Sequence, residues 1–411
     1  MRDGTFEKNR VAKKNASHNK SRDLCYVQLQ MPKLASFANA RLVKLSANWK
    51  KLRGRGRQFP FPIDVVILWV EDSAQHRLAR DSAAATLSNT QQPFGFDNQF
   101  TRFRDNEELL SCLRSIFWCI PWARRVHIVV ADYQFPTRYI RHDVLDYNGP
   151  QITVIPHSSL LPKSSLPTFN SQAIEANIHR IDGLAEHFLY ANDDFMIGVP
   201  LPPSYFFCSD GTPRYNVESS FVPQHTKTAG MTKHALAWVN NSAKLDHIFG
   251  RAANRHYPCH ITVPMLRSSF RGAWTHPALR AALTNTSLST FRTSSNIYLI
   301  GLLVYWNVYQ HGARLRQPAR ILFHDVEAGD DVKGLMHHIL TTQPVLFCLN
   351  DGGYTPKEGE LIRASLRAMF PLPAPWEPGQ PGESVLRVVR TAPAAVASAD
   401  DHESVITYCG A

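Results

Sequence analysis

Two carboxylates close a short apolar run at His187-Phe-Leu-Tyr-Ala191, where Asn192, Asp193 and Asp194 follow directly. In an open α/β sheet the carboxyl ends of strands are where ligands bind, and hard carboxylate oxygens suit a divalent cation that bridges phosphates. The same triplet would also serve as an ordinary turn with a helix cap. Just upstream, Leu166-Pro-Thr-Phe-Asn-Ser-Gln-Ala-Ile-Glu175 reads as a loop entering a helix. Asn170 or Ser171 can cap it, and Ala173, Ile174, Ile178 and Ile181 recur at three- and four-residue steps on one face of a helix from about 171 to 182. Glu175 and His179 then lie one turn apart, so Glu175 either orients and deprotonates an attacking hydroxyl or simply pairs with His179. Arg102, Arg104 and Arg114 surround another helix start, where they could meet a diphosphate or pair with Asp105 and Glu108. Together these segments suit a phosphorylated substrate and a metal.

Strands and helices must bring such residues to one place. Ile63-Asp-Val-Val-Ile-Leu-Trp-Val70 is the first strand signal and runs straight into Glu71 and Asp72. Asp105 or Asn106 can cap a helix with Leu109, Leu113 and Ile116 on its inner face. Val126–Ala131 is a second strand ending at Asp132, Ile152–Ile155 a third, and residues 187–191 a fourth. Strands alternating with helices predict an α/β fold with a largely parallel sheet. Beyond the Pro-rich step at Pro200-Leu-Pro-Pro203 the pattern is less regular: Ser294 can cap an apolar helix running to about 310, Val345–Leu349 is a strand, and another helix falls near 357–369. The expected organisation is a basic, disordered arm over 1–58 and a body over 59–370, with its sheet core at 59–200 and a helical, irregular portion at 201–370. A Pro/Ala-rich mobile tail over 371–411 completes it.

The formal charge of +11 would suggest nucleic acid, but its location argues otherwise. Residues 1–62 hold 15 Lys or Arg against 3 Asp or Glu, which leaves 30 basic and 31 acidic residues for the rest. A balanced body is not a polyanion-binding surface, so RNA binding through the arm is a remote alternative. The arm itself could touch anionic lipid or a polyanionic polymer, or be merely solvated. Seven cysteines include no C-x-x-C pair, and Cys112 and Cys119 stand at core spacing on a helix, which points to a reducing, cytoplasmic compartment. No apolar run is long enough to span a membrane, so membrane contact is expected to be peripheral, at the inner face. There is no G-x-x-x-x-G-K-[ST] loop, no G-x-G-x-x-G after a strand, no G-x-S-x-G elbow and no His-Glu-x-x-His.

In blocks, the chain resembles the Stealth family, which includes bacterial capsule polysaccharide phosphotransferases and the animal N-acetylglucosamine-1-phosphotransferase catalytic subunit. The similar segments are Ile63–Ser73, Arg102-Phe-Arg-Asp-Asn-Glu-Glu-Leu109 with Leu113–Ile116, Pro121-Trp122 and on to Asn192-Asp-Asp194, a weaker stretch from about His256 to Gly312 around Phe291-Arg292, and Phe347-Cys-Leu-Asn-Asp351. After Trp69-Val70 this chain has Glu71-Asp72 where the family commonly has Asp-Gly. The resemblance implies a fold similar to nucleotide-sugar transferases, completed by a helical C-terminal portion. It implies catalytic roles for Glu175, Asp194, Arg292 and His260, with His256 competing for the last. It further implies substrate contacts at Asp64, Trp69, Glu71, Asp72, Arg102, Arg104, Arg114, Asn170, Ser171 and Asn192.

The chemistry implied is transfer of a sugar-1-phosphate from a nucleotide-diphosphate sugar, most simply a UDP-sugar, to a hydroxyl of an oligo- or polysaccharide. Asp193 and Asp194 would hold Mg²⁺ or Mn²⁺, and Arg292 would present a planar fork to phosphate oxygens. An ordinary metal-dependent glycosyltransferase, which releases a nucleoside diphosphate instead, needs the same acidic pair and is the alternative reading.

Overall fold

Every residue of Ile63–Leu68 is buried on both faces, as in the middle of a parallel sheet covered from both sides. The computed structural model describes residues 20–88, 103–141, 147, 149–223, 228–250, 253–379 and 386–388. It begins with α1 (Lys20–Arg57), β1 (Ile63–Leu68), α2 (Ala74–Ser88), α3 (Glu108–Cys119), β2 (Arg125–Val130) and β3 (Gln151–Pro156). Next come α4 (Ser171–Glu175), β4 (His187–Asn192), β5 (Phe195–Ile197), β6 (Arg214–Phe221), α5 (Lys233–Phe249), β7 (His256–Pro258) and β8 (Val263–Leu266). The remainder is α6 (Arg267–Thr275), α7 (Pro277–Leu288), α8 (Leu299–His311), β9 (Arg314–Arg316), β10 (Ile321–Val326), α9 (Val332–Thr342), β11 (Leu346–Asp351), α10 (Pro356–Met369) and β12 (Leu386–Val388).

The main sheet has the order β12-β3-β2-β1-β4-β8, and its pairs are parallel except β4 with β8. The order reverses at β1, so the crevice beyond the ends of β1 and β4 is a topological switch point. Leu68 pairs with Asn192, which makes Trp69–Asp72 and Asp193–Asp194 leave the sheet side by side. Because side chains alternate, Val65 and Ile67 join one core with α3, while Val66 and Leu68 join the other with α6 to α8. Two small sheets, β10-β11-β5 and β7-β6-β9, lie outside this frame.

Several expectations need correction. Residues 20–57, expected within a disordered arm, form a helix that packs on α10 and α3. Leu45 and Leu52 are buried, and Arg41 is 2% exposed, its guanidinium donating to Met369 O at 3.1 Å, Gln343 Oε1 at 3.2 Å and Gly198 O. A buried guanidinium is tolerated only because these acceptors replace water. Trp376, expected in a mobile tail, is fully buried, and β12 extends the sheet beside β3; residues 1–19 and 389–411 lie outside the described residues. The irregular portion contains β6, β8 and β10.

Two caps also differ. Asp105 Oδ1 accepts from Glu107 N at 2.9 Å, and Glu107, in the left-handed region at φ 71°, precedes α3 without a side-chain cap. Helix α8 starts at Leu299, not Ser294, after Asn241 Oδ1 takes Tyr298 N at 3.1 Å. The helix expected over 171–182 is broken: Asn177 Nδ2 donates to Ala173 O at 2.9 Å, taking the carbonyl an α-helix needs, and a 3₁₀ turn follows at Ile178–Arg180. Among the described residues no helix is long and apolar enough to cross a membrane.

Candidate active site

Asp194 sits in the two-residue turn between β4 and β5, and Phe195 beyond it pairs with Cys348 on β11. That pairing sets the Cys348 thiol against the carboxylate, Sγ donating to Asp194 Oδ2 at 3.2 Å. His260 arrives from the loop between β7 and β8, packed edge to face on Phe195 with ring centroids 4.9 Å apart. Polar atoms of Asp194, His260 and Cys348 all lie within 4.8 Å of one another. Burial pushes Asp194 up to about 6 and His260 down to about 4, so at neutral pH the carboxylate is charged and the imidazole neutral. The same burial, with Asp194 beside it, raises the Cys348 thiol well above its ordinary value, which keeps it a proton donor to Asp194.

An acidic crevice continues from there. Burial and the neighbouring charges of Asp194, Glu108 and Asp105 raise Asp193 far above the usual carboxylate range. Glu108 is raised to about 7 by burial and then by Asp105, and it accepts the Tyr354 hydroxyl at 2.9 Å. Asp105 is fully engaged, accepting from Tyr139 OH at 3.0 Å, Glu107 N at 2.9 Å and Trp69 Nε1 at 3.4 Å. Asp194 Oδ1 is buried without a hydrogen-bond partner. An orphaned hard oxygen beside a second carboxylate held at high pKa is the donor chemistry that Mg²⁺ or Mn²⁺ satisfies, and Cys348 is too soft a ligand to favour either ion.

On the other side of β4, Glu175 is 3% exposed, and its Oε1 lies 3.0 Å from the hydroxyl of Tyr190. That hydroxyl is 2.8 Å from Asn192 Oδ1 at the strand end. Glu175 therefore reaches the crevice through Tyr190 and Asn192, where the sequence had it projecting from a continuous helix and competing for His179. Arg292 enters from the segment before α8, Nη2 donating to Ser171 Oγ at 2.8 Å, and it is close enough to depress His260 further. Asn170 caps α4 by accepting from Gln172 N at 3.1 Å and ties the loop to Asn296 at 3.0 Å and Ser289 at 3.3 Å. It is buried completely and positions Ser171.

At the end of β1, Glu71 and Gln134 hold each other through backbone and amide groups. Asp72 is held by Arg77 at 3.0 Å and Arg80 at 3.6 Å. His76, pushed down to about 4 by burial, meets Tyr133 OH at 2.9 Å. This rim lies beside Phe103 and Phe169, and Phe169 stacks on Phe291 next to Arg292.

Other expected site residues stand elsewhere. Asp64 is at the opposite end of β1, fully buried among Arg124 at 2.5 Å, His127 at 3.3 Å and Ala185 N at 2.8 Å, a structural ion cluster at the amino edge of the sheet. Arg114 forks onto Glu377 at 2.7 and 2.6 Å and secures the C-terminal segment. Arg104 forks onto Asp351 at 2.6 Å through each nitrogen, joining the α3 loop to the end of β11. Arg102 lies outside the described residues. His256 stacks on Phe221 in the β6-β7 sheet, so geometry brings His260, not His256, to Asp194. Sequence reasoning missed Cys348, Tyr190 and Glu108 as site residues, although each stands inside a stretch it singled out: Phe347–Asp351, the run ending at Asp194, and Arg102–Leu109.

Residues 102–215 match Stealth protein CR2, conserved region 2. The exopolysaccharide phosphotransferase CpsY of Mycobacterium leprae is 32% identical over 77% of this chain, which spans 57% of that protein. The capsular polysaccharide phosphotransferase LcbA of Neisseria meningitidis is 30% identical over 71% of this chain and 78% of its own length. Among solved structures, the galactosyltransferase LgtC overlaps 76% of this chain and 96% of its own, at 8% identity and a TM-score of 0.38.

Proposed function

The chain belongs to the Stealth family, and from that premise we propose that it transfers a sugar-1-phosphate from a nucleotide-diphosphate sugar to a saccharide hydroxyl in capsule or exopolysaccharide synthesis. The observation that carries this reading is the convergence of Asp194 and His260 at the end of β4, with Arg292 alongside. The acceptor oxygen bonds to the phosphorus that bears the donor sugar, and the bond from that phosphorus to the bridging oxygen breaks. The electron pair leaves with the nucleoside monophosphate, and a phosphodiester remains. His260, neutral at neutral pH and beside Asp194, is placed to take the acceptor's hydroxyl proton, and the negative phosphates of a bound donor would raise its basicity from about 4. Arg292 offers two N–H groups to phosphate oxygens whose charge develops in the transition state. Glu175 acts through Tyr190 to hold Asn192, a positioning role. Asp194, with Asp193 beside it, would hold Mg²⁺ or Mn²⁺, whose charge offsets the diphosphate oxygens when bound.

The deciding experiment identifies the nucleotide released from UDP- and GDP-sugars in the presence of Mg²⁺ and oligosaccharide acceptors, with Asp194→Asn as control. UMP or GMP that disappears in the variant supports sugar-1-phosphate transfer. UDP or GDP would mean an ordinary glycosyltransferase and would overturn the reading.

We also propose peripheral attachment to an anionic membrane, a reading supported by the basic charge of the N-terminal segment. Co-flotation with vesicles of phosphatidylglycerol and phosphatidylcholine, lost when the Lys and Arg residues before position 34 become Gln, would support it. The change stops there because Arg41, Leu45 and Leu52 belong to the core.

A further inference from the structure

A single exposed aromatic ring needs no explanation by itself. Phe323, 41% exposed on β10, is different because of what it touches. Its ring meets the imidazole of His260 edge to face, at 81° with centroids 5.2 Å apart, while Phe195 meets the same imidazole at 4.9 Å. His260 is thus held between a buried ring and a ring that faces solvent. Strand β10 is the edge of its sheet, and Asp325, two residues beyond Phe323, shares its face. Asp325 is also exposed, its charge is felt by both His260 and Asp194, and Asn350 Nδ2 donates to its Oδ1.

An exposed ring beside an oriented carboxylate is suited to a sugar: the apolar C–H face of a pyranose packs on the ring, and its hydroxyls donate to the carboxylate. We infer that Phe323 and Asp325 form the acceptor subsite, the ring carrying one pyranose of the acceptor and Asp325 accepting from one of its hydroxyls, so that a neighbouring hydroxyl falls beside His260. This rests on the proposed reaction, because it is His260 as proton acceptor that defines where the acceptor must arrive. It adds the substrate's seat, and it places on β10 a specificity determinant lying outside the stretches that resemble the family.

Initial rates with one substrate varied at a time test it. Phe323→Ala should raise the KM for the oligosaccharide about tenfold, the loss of roughly one stacked ring, while the nucleotide-sugar KM moves less than about twofold. Phe323→Tyr should restore the wild-type value, and Asp325→Asn should raise the acceptor KM severalfold. Saturation-transfer NMR without nucleotide, using maltotetraose, chitotetraose and mannotetraose as probes, reads the seat independently of turnover. Wild type should saturate the sugar C–H protons of at least one probe, and Phe323→Ala should lose that transfer. Nucleoside monophosphate release with an unchanged acceptor KM in Phe323→Ala overturns the subsite alone. So does a shift confined to the donor KM, or the absence of saturation in wild type. Failure to release a monophosphate overturns the reaction, and the NMR comparison then still decides whether the ring binds a saccharide.

Discussion

Tyr190 and Glu175 are joined by a 3.0 Å hydrogen bond inside the protein, and the same phenol lies 2.8 Å from Asn192 Oδ1. A phenol has one hydrogen, so it can donate to only one of these acceptors. The other contact requires Glu175 to carry a proton or the Asn192 amide to present its NH₂ group. Either way a buried carboxyl is wired to the strand end by one hydroxyl. Tyr190→Phe should lower kcat at least about tenfold with little change in either KM, because a positioning bond is lost and no substrate contact is. Glu175→Gln should fall in the same direction. Steady-state kinetics with a melting curve check this; a Tyr190→Phe enzyme with unchanged kcat removes the relay.

Arg292→Lys keeps the charge and removes the fork. A loss of about 10- to 100-fold in kcat/KM is expected, read beside a melting curve that checks the fold. Equal activity in the two enzymes would show that a point charge suffices there.

The acidic crevice predicts how stability follows pH. Glu108 rises from 4.5 to about 7 and Asp194 from 3.8 to about 6, so both carboxyls hold protons more tightly folded than unfolded. Their contribution to stability is complete below about pH 4 and is lost as pH rises through about 6 to 7. Metal-free protein should therefore lose on the order of 4 kcal/mol between pH 5 and pH 8 from these two carboxyls together. Mg²⁺ or Mn²⁺ should restore more at pH 8 than at pH 5. Urea midpoints measured with the metal and with EDTA read both effects, and Asp194→Asn should blunt the metal's share.

Arg41→Ala would strand the carbonyls of Gly198 and Met369 in the interior and empty the volume of a large side chain. A destabilisation of about 3 kcal/mol is expected, read as a lower urea midpoint. Arg41→Met, which keeps the volume, should recover part of it.

Asp64 serves as a counter-test of position. Asp64→Asn breaks the fork with Arg124 at 2.8 and 2.5 Å, so the melting temperature should fall, while kcat/KM measured below the transition stays within about twofold. A large kinetic loss in a stable Asp64→Asn protein would contradict its place at the amino edge of the sheet.

The sequence by itself determined the strands that carry the site and their general direction. The alternating or continuous apolar runs at 63–70, 126–131, 152–155 and 187–191 became β1 to β4, because strand periodicity and burial are local properties of a short segment. It also determined that Asn192, Asp193 and Asp194 would stand at a strand end, and that Cys112 and Cys119 would share a helix and a core. Only the tertiary structure decided which distant residues those carboxylates meet. Cys348 is 154 residues from Asp194, and it arrives because β5 pairs with β11. His260 outcompeted His256 for the same reason, since the loop between β7 and β8 turns one histidine to Asp194 and leaves the other on Phe221. Asp64 and Arg114 looked like site residues because a motif carries no record of which sheet edge, or which partner, its side chains will face. Arg41 and Trp376 were hidden in segments whose basic charge and Pro/Ala content suggest an arm and a tail, and their burial depends on partners far away in sequence. Periodicity is written residue by residue, whereas a charge cluster or a completed site exists only once strands far apart in sequence have paired.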